Sequence, residues 1–145
     1  MYKFFKILVI IIFYFLSFSS LTFSSEEKIK IGLLVPLTGD NKEIGEQIIK
    51  STRIALKDIN SEKLEIFPKD TGSDPNITIK SAKDLKNIGV KIIIGPVFYK
   101  SLNYLEEIQD IIFISLTNKT LALPNNIISS GVNATSQLNA IKKFI

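Results

Sequence analysis

The sequence predicts an α/β fold, a doubly wound parallel sheet covered by helices. Two observations carry that prediction. Beyond residue 28, short apolar runs alternate with longer amphipathic ones, which is the pattern of successive βαβ units. One of those runs, Val90-Lys-Ile-Ile-Ile-Gly95, is rich in β-branched residues, as suits a strand buried on both faces of a parallel sheet.

The chain opens before that pattern begins. Met1 to Lys6 is short and basic, Ile7 to Phe18 is an almost unbroken apolar run, and Ser17 to Ser25 is small and hydroxyl-rich. That order predicts a secretory signal peptide over residues 1–24, with cleavage near Ser24. The apolar run is well short of the roughly 20 residues that span a bilayer as a helix, so an uncleaved anchor is the competing reading. No stable membrane insertion is expected after cleavage. Residues 25–145 are then the mature lobe.

Its elements follow in order. Ile29 to Pro36 reads as a strand, ended by Pro36 and the turn Leu37-Thr38-Gly39-Asp40. Glu43 to Asn60 reads as a helix, because Ile44, Ile48, Ile49, Thr52, Ala55, Leu56 and Ile59 recur at three- and four-residue spacing. Leu64 to Asp70 is the second strand and Asp70 to Pro75 a turn. Asn76 to Ile88 is the second helix, stopped by Gly89. Val90 to Gly95 is the third strand. A short third helix is expected over Ser101 to Gln109, a fourth strand over Ile111 to Leu116, and a loop at Leu121 to Pro124. Ile127 to Ser130 is a short fifth strand, and a helix starts at Thr135. Leu138, Ile141 and Ile145 continue its apolar stripe to the last residue, so the lobe is expected to be incomplete.

Composition narrows the function. The sequence has neither histidine nor cysteine. Imidazole and thiol catalysis, a disulfide framework and a lipid-acceptor Cys are therefore absent. Once Lys3 and Lys6 leave with the leader, 16 basic residues face 14 acidic ones, a net of about +2. The charges are interspersed, so neither a nucleic-acid partner nor an anionic membrane surface is expected. No GxGxxG or GxxxxGK[ST] follows a strand. Asp70 and Asp74 lie four apart but lack the further ligands of an EF-hand, and they read as turn formers. No metal, no cofactor and no catalytic residue is expected; an enzyme would have to work through carboxylates, Lys, Ser/Thr or Tyr, and the chain is not read as one.

In open parallel sheets, ligands sit beyond the carboxyl ends of the strands. The candidate loops are therefore Leu37 to Lys42, Asp70 to Pro75, Pro96 to Lys100 and Thr117 to Thr120. Phe98 and Tyr99 are adjacent, so one should face the cleft unless both cover the sheet edge. Ser101 either caps the third helix or turns its hydroxyl to a ligand. Thr117, Asn118 and Thr120 either hold polar ligand groups or bond their own backbone.

Ile29-Lys-Ile-Gly-Leu-Leu-Val-Pro-Leu-Thr-Gly39, then Gly45 and Ala55-Leu-Lys-Asp-Ile-Asn60, resembles the opening of type I periplasmic binding proteins of the leucine/isoleucine/valine-binding group. Asp70, Ile92-Ile-Ile-Gly-Pro96 and Ile112-Phe-Ile-Ser115 continue the match in register. The resemblance implies the first lobe of that fold and a small ligand, amino acid or peptide-like, trapped between two lobes. It further implies a periplasmic location and an ABC transporter permease as partner. Carried over by position, Tyr99 and Ser101 match the first of the family's two ligand loops and Thr117 and Asn118 the second; together with Thr38 and Gly39 of the loop after the first strand they would line the ligand site. The family's Ser-rich loop is here Val97-Phe-Tyr-Lys100, a departure from its pattern. Pro68-Lys-Asp-Thr-Gly72, Ile94-Gly-Pro-Val-Phe98 and Thr117-Asn-Lys-Thr120 also resemble the penicillin-binding-protein activator branch, which implies a peptidoglycan synthase as the alternative partner.

Overall fold

The computed structural model describes residues 2–4, 6 and 7, 28–120 and 122–143. The predicted signal peptide over 1–24 thus lies outside the described residues apart from 2–4, 6 and 7. Among the described residues no helix is long and apolar enough to cross a membrane.

Five strands form one sheet: β1 (Ile29–Val35), β2 (Leu64–Asp70), β3 (Ile92–Ile94), β4 (Ile112–Ser115) and β5 (Ile127–Ser129). Their order is β2-β1-β3-β4-β5, and every pairing is parallel. The doubly wound sheet read from the sequence is therefore the observed fold. β1 connects to β2 through α1 (Lys42–Ile59), and β2 crosses back over β1 to β3 through α2 (Pro75–Asn87). Crossovers of one hand running in opposite directions place their helices on opposite faces.

Strand alternation shows the two faces of β1. Leu34 joins Ala82 and Leu85 of α2 in the main core, with Val90, Ile93, Phe113 and Ile127. Leu33 and Val35 point the other way and are equally buried. There α1 lies against β1. The α1 stripe is half-buried at Ile48, Ile49, Thr52 and Leu56, while Ile44, Ala55 and Ile59 are exposed. The sequence reading that turned all seven inward holds only for the middle of the helix. Gly45 is the point of closest approach, because a Cβ there would overlap the Pro36 carbonyl.

The third helix expected over Ser101 to Gln109 does not form. Two short 3-10 turns take its place, Tyr99–Leu102 and Leu105–Glu107. They are separated by Tyr104, whose φ of 66° breaks any continuous right-handed helix. Leu102, Leu105, Ile108 and Ile111 are all buried in the core. Spacing of three matches the three residues per turn of the tighter helix. A last helix, α3 (Ala134–Lys142), is closed at its start by an Asn133–Ser136 capping box and buries none of its residues.

Candidate functional site

The chain order reverses between β1 and β3, which puts a topological switch point at their carboxyl ends. Five loops meet along this rim, and one carboxylate organises the first two. Asp70, the last residue of β2, accepts the Leu37 N–H at 2.7 Å and the Gly72 N–H at 2.8 Å on Oδ1. Its Oδ2 accepts the Thr38 hydroxyl at 2.6 Å. Burial works against the Asp70 charge, but the Thr38 hydroxyl and the N–H groups of Gly72, Leu37 and Thr38 outweigh it and hold the carboxyl below its usual range. Asn41 adds a bond from Nδ2 to Ser73 Oγ at 3.1 Å. The β1 loop is therefore fixed to the β2 loop before it enters α1.

The two helices that follow differ at their starts. Asp74 caps α2 by accepting from the N–H groups of Asn76 and Ile77. Asn41, at the cap position of α1, makes no side-chain cap bond. The first turn of α1 thus opens from the rim with no side chain closing it.

On the other side of the switch point, Ser115 is the organiser. It ends β4, is fully buried, and donates its hydroxyl to the Pro96 carbonyl at 3.0 Å while accepting from the Thr117 N–H at 3.3 Å. Pro96 O also accepts from Leu116 N–H at 3.0 Å. The Thr117 carbonyl accepts the Ser129 hydroxyl at 2.7 Å and the Gly131 N–H at 3.1 Å. The loops after β3, β4 and β5 are tied together by these bonds. Gly95 sits at a φ of 109° against Leu34, whose carbonyl a Cβ would overlap.

The six sequence-derived site residues divide into two groups. Thr38, Gly39, Tyr99 and Asn118 are exposed on the rim. Ser101 and Thr117 are buried, at 1% and 4% exposure. Ser101 does not cap: it lies inside the first 3-10 turn, and its hydroxyl has no hydrogen-bond partner among the described residues. Thr117 Oγ1 accepts the Lys119 N–H at 3.4 Å, the local backbone bond weighed for such turns. Phe98 is half-buried and Tyr99 is 53% exposed, so of the two aromatics Tyr99 reaches solvent. Local pattern reading missed the roles of Asp70 and Ser115, whose partners lie up to 33 residues away. The rim thus offers hydroxyl, amide and phenol groups with an aromatic face, on loops cross-tied from below, which is the chemistry of holding a small polar or amphipathic ligand.

Comparison with known proteins fits that geometry. A family model for periplasmic binding proteins matches residues 28–145. The Leu/Ile/Val-binding protein homolog 1 of Brucella abortus (strain 2308) is 38% identical over 71 residues, which cover 45% of this chain and 19% of that protein. The matched part is therefore about a fifth of the length of this curated relative. Among solved structures, the leucine-binding protein LivK of Thermotoga maritima shares the fold, with a TM-score of 0.56 at 21% identity over 61% of this chain and 27% of that one. Full-length LpoA of Haemophilus influenzae aligns with a TM-score of 0.59 at 26% identity, over 86% of this chain and 24% of that one. The five-stranded parallel sheet, the loops gathered at its switch point and the family match over 28–145 lead to one conclusion: the chain belongs to the periplasmic binding protein family.

Proposed function

We propose that this chain supplies the first lobe of an exported periplasmic solute-binding protein, related to the branched-chain amino-acid receptors of ABC transporters. In this reading residues 1–24 are the signal peptide, residues 25–145 belong to the lobe, and no catalysis is performed. The observation that carries it is the exposure of Thr38, Gly39, Tyr99 and Asn118 on loops after three strands around the switch point. Tyr99 supplies an aromatic face, Thr38, Gly39 and Asn118 supply polar contacts, and the buried hydroxyls of Ser101 and Thr117 would meet the ligand from beneath, that of Ser101 having no other partner among the described residues. An amino acid or peptide-like ligand would be enclosed by hinge closure against a second lobe, and the closed form would be what a permease recognises.

Thermal unfolding of the full-length protein against a panel of amino acids and short peptides tests this reading. Ligand that binds only the native state raises the melting temperature. At least one panel member should do so, and a flat panel would count against solute binding.

A second reading is favoured by one specific observation. LpoA, described as a regulator of PBP1A, covers more of this chain than LivK does. In that reading the chain belongs to an envelope protein that acts on a peptidoglycan synthase. Retention of a PBP1A-type synthase by the immobilised full-length protein, together with a flat ligand panel, would select it.

A further inference from the structure

Beyond β1 every step of the strand order, to β3, β4 and β5, runs the same way across the sheet. The connections after β3 and β4 therefore lie side by side on one face. Asn126, just before β5, clamps them by donating Nδ2 to the Leu105 and Ile108 carbonyls at 3.2 and 3.3 Å. Between that clamp and the rim lies a concavity of about 330 Å³. Leu102, Leu123 and Pro124 give it an aliphatic wall, and Glu106 and Lys119 bring opposite charges to it. Neither charge has an ion-pair partner among the described residues. Lys100 and Glu107 lie on the same 3-10 turns but do not line it. Tyr104 and Ala122 line it from the two connections, and both hold left-handed backbone, at φ 66° and 53°. That region is unusual for an aromatic residue, and backbone strain of this kind gathers at ligand sites.

We propose that this groove extends the ligand rim, and that the ligand is a short aliphatic peptide rather than a single amino acid. The proposal rests on the solute-binding reading of the rim. Continuity supports it, because Leu102 shares a 3-10 turn with Tyr99 and Lys119 directly follows Asn118. A single amino acid held at Tyr99 and Asn118 leaves the groove unfilled, whereas each further residue of an extended peptide reaches about 3.3 Å deeper. Lys119 is the charge next to the rim. Glu106, on the second 3-10 turn, is the far one. The peptide therefore enters amino end first, with its ammonium on Glu106, a backbone carbonyl toward Lys119 and an aliphatic side chain against Leu102, Leu123 and Pro124.

The test is isothermal titration of the full-length protein with leucine, trileucine and N-acetyl-trileucine, repeated with Glu106→Gln. Trileucine should bind about tenfold or more tightly than leucine, as burial of one leucine side chain allows. Acetylation should weaken trileucine about two- to fivefold, the range of an exposed ion pair. Glu106→Gln should weaken free trileucine to the same extent, leave leucine unchanged, and show no further loss on acetylation. Leucine binding as tightly as trileucine would overturn the groove and leave the rim reading standing. Acetylation that weakens wild type and variant equally would overturn the assignment to Glu106. Failure of all three ligands to bind the folded wild type would overturn the rim reading and the groove with it.

Discussion

The Thr38 hydroxyl donates a 2.6 Å hydrogen bond to Oδ2 of Asp70, while Oδ1 of the same carboxylate holds the N–H groups of Leu37 and Gly72. One side chain at the end of β2 therefore fixes the loop that follows β1. Hydrogen bonds to a charged group contribute about 1.5–3 kcal/mol, so Asp70→Asn should lower stability by that order in urea unfolding at pH 7. The loss should depend on pH in a defined direction. Because the folded carboxyl lies below its usual range, its contribution is complete above the unfolded value of about 3.9 and disappears as pH falls through the lower folded value. The gap between wild type and variant should close in acid. A gap that is constant with pH would remove the charged carboxylate from this role.

Gly45→Ala should destabilise, against the ordinary helix preference for alanine. A Cβ there overlaps the Pro36 carbonyl, so α1 must move away from the end of β1. Overpacking of this kind costs about 1–3 kcal/mol. Ser51→Ala, on the exposed face of the same helix, should change stability by less than about 0.5 kcal/mol. Equal effects in denaturant titrations would mean that Gly45 is not a contact point.

Ser115→Ala and Tyr99→Ala should separate support from contact. Ser115 is buried and bonded to both Pro96 and Thr117, so its loss should cost about 1–3 kcal/mol of stability. Tyr99 is more than half exposed, and its truncation should leave unfolding nearly unchanged while weakening ligand binding. Calorimetric unfolding and ligand titration of both variants check the pair.

Tyr104 occupies left-handed backbone space at a φ of 66° with its side chain mostly exposed. A non-glycine residue there carries about 1–2 kcal/mol of strain. Tyr104→Gly should therefore hold or raise the melting temperature, whereas a clear drop would show that the ring contributes packing worth more than the strain.

These positions also show what the sequence made legible. β1, β2, α1 and α2 were readable because β-branched runs and three-to-four spacing report burial directly. The segment from Ser101 to Gln109 looked helical from its apolar content. Its buried residues, Leu102, Leu105 and Ile108, in fact recur every third position, which is the signature of the tighter turn. The strand-end rule picks out the loops that hold Thr38, Gly39, Tyr99 and Asn118, and the family resemblance points to Tyr99 and Asn118 within them. Asp70 and Ser115 were read as turn and strand residues, because their partners come from other strands and no local window contains them.

Isothermal titration of the full-length protein with leucine, isoleucine, valine and other amino acids, repeated with Tyr99→Ala, tests the ligand-binding rim most directly. The expected result is saturable binding of at least one ligand, weakened about tenfold or more in the variant, the loss of one good side-chain contact. Absence of binding by the folded wild type, or binding that Tyr99→Ala leaves untouched, would contradict it.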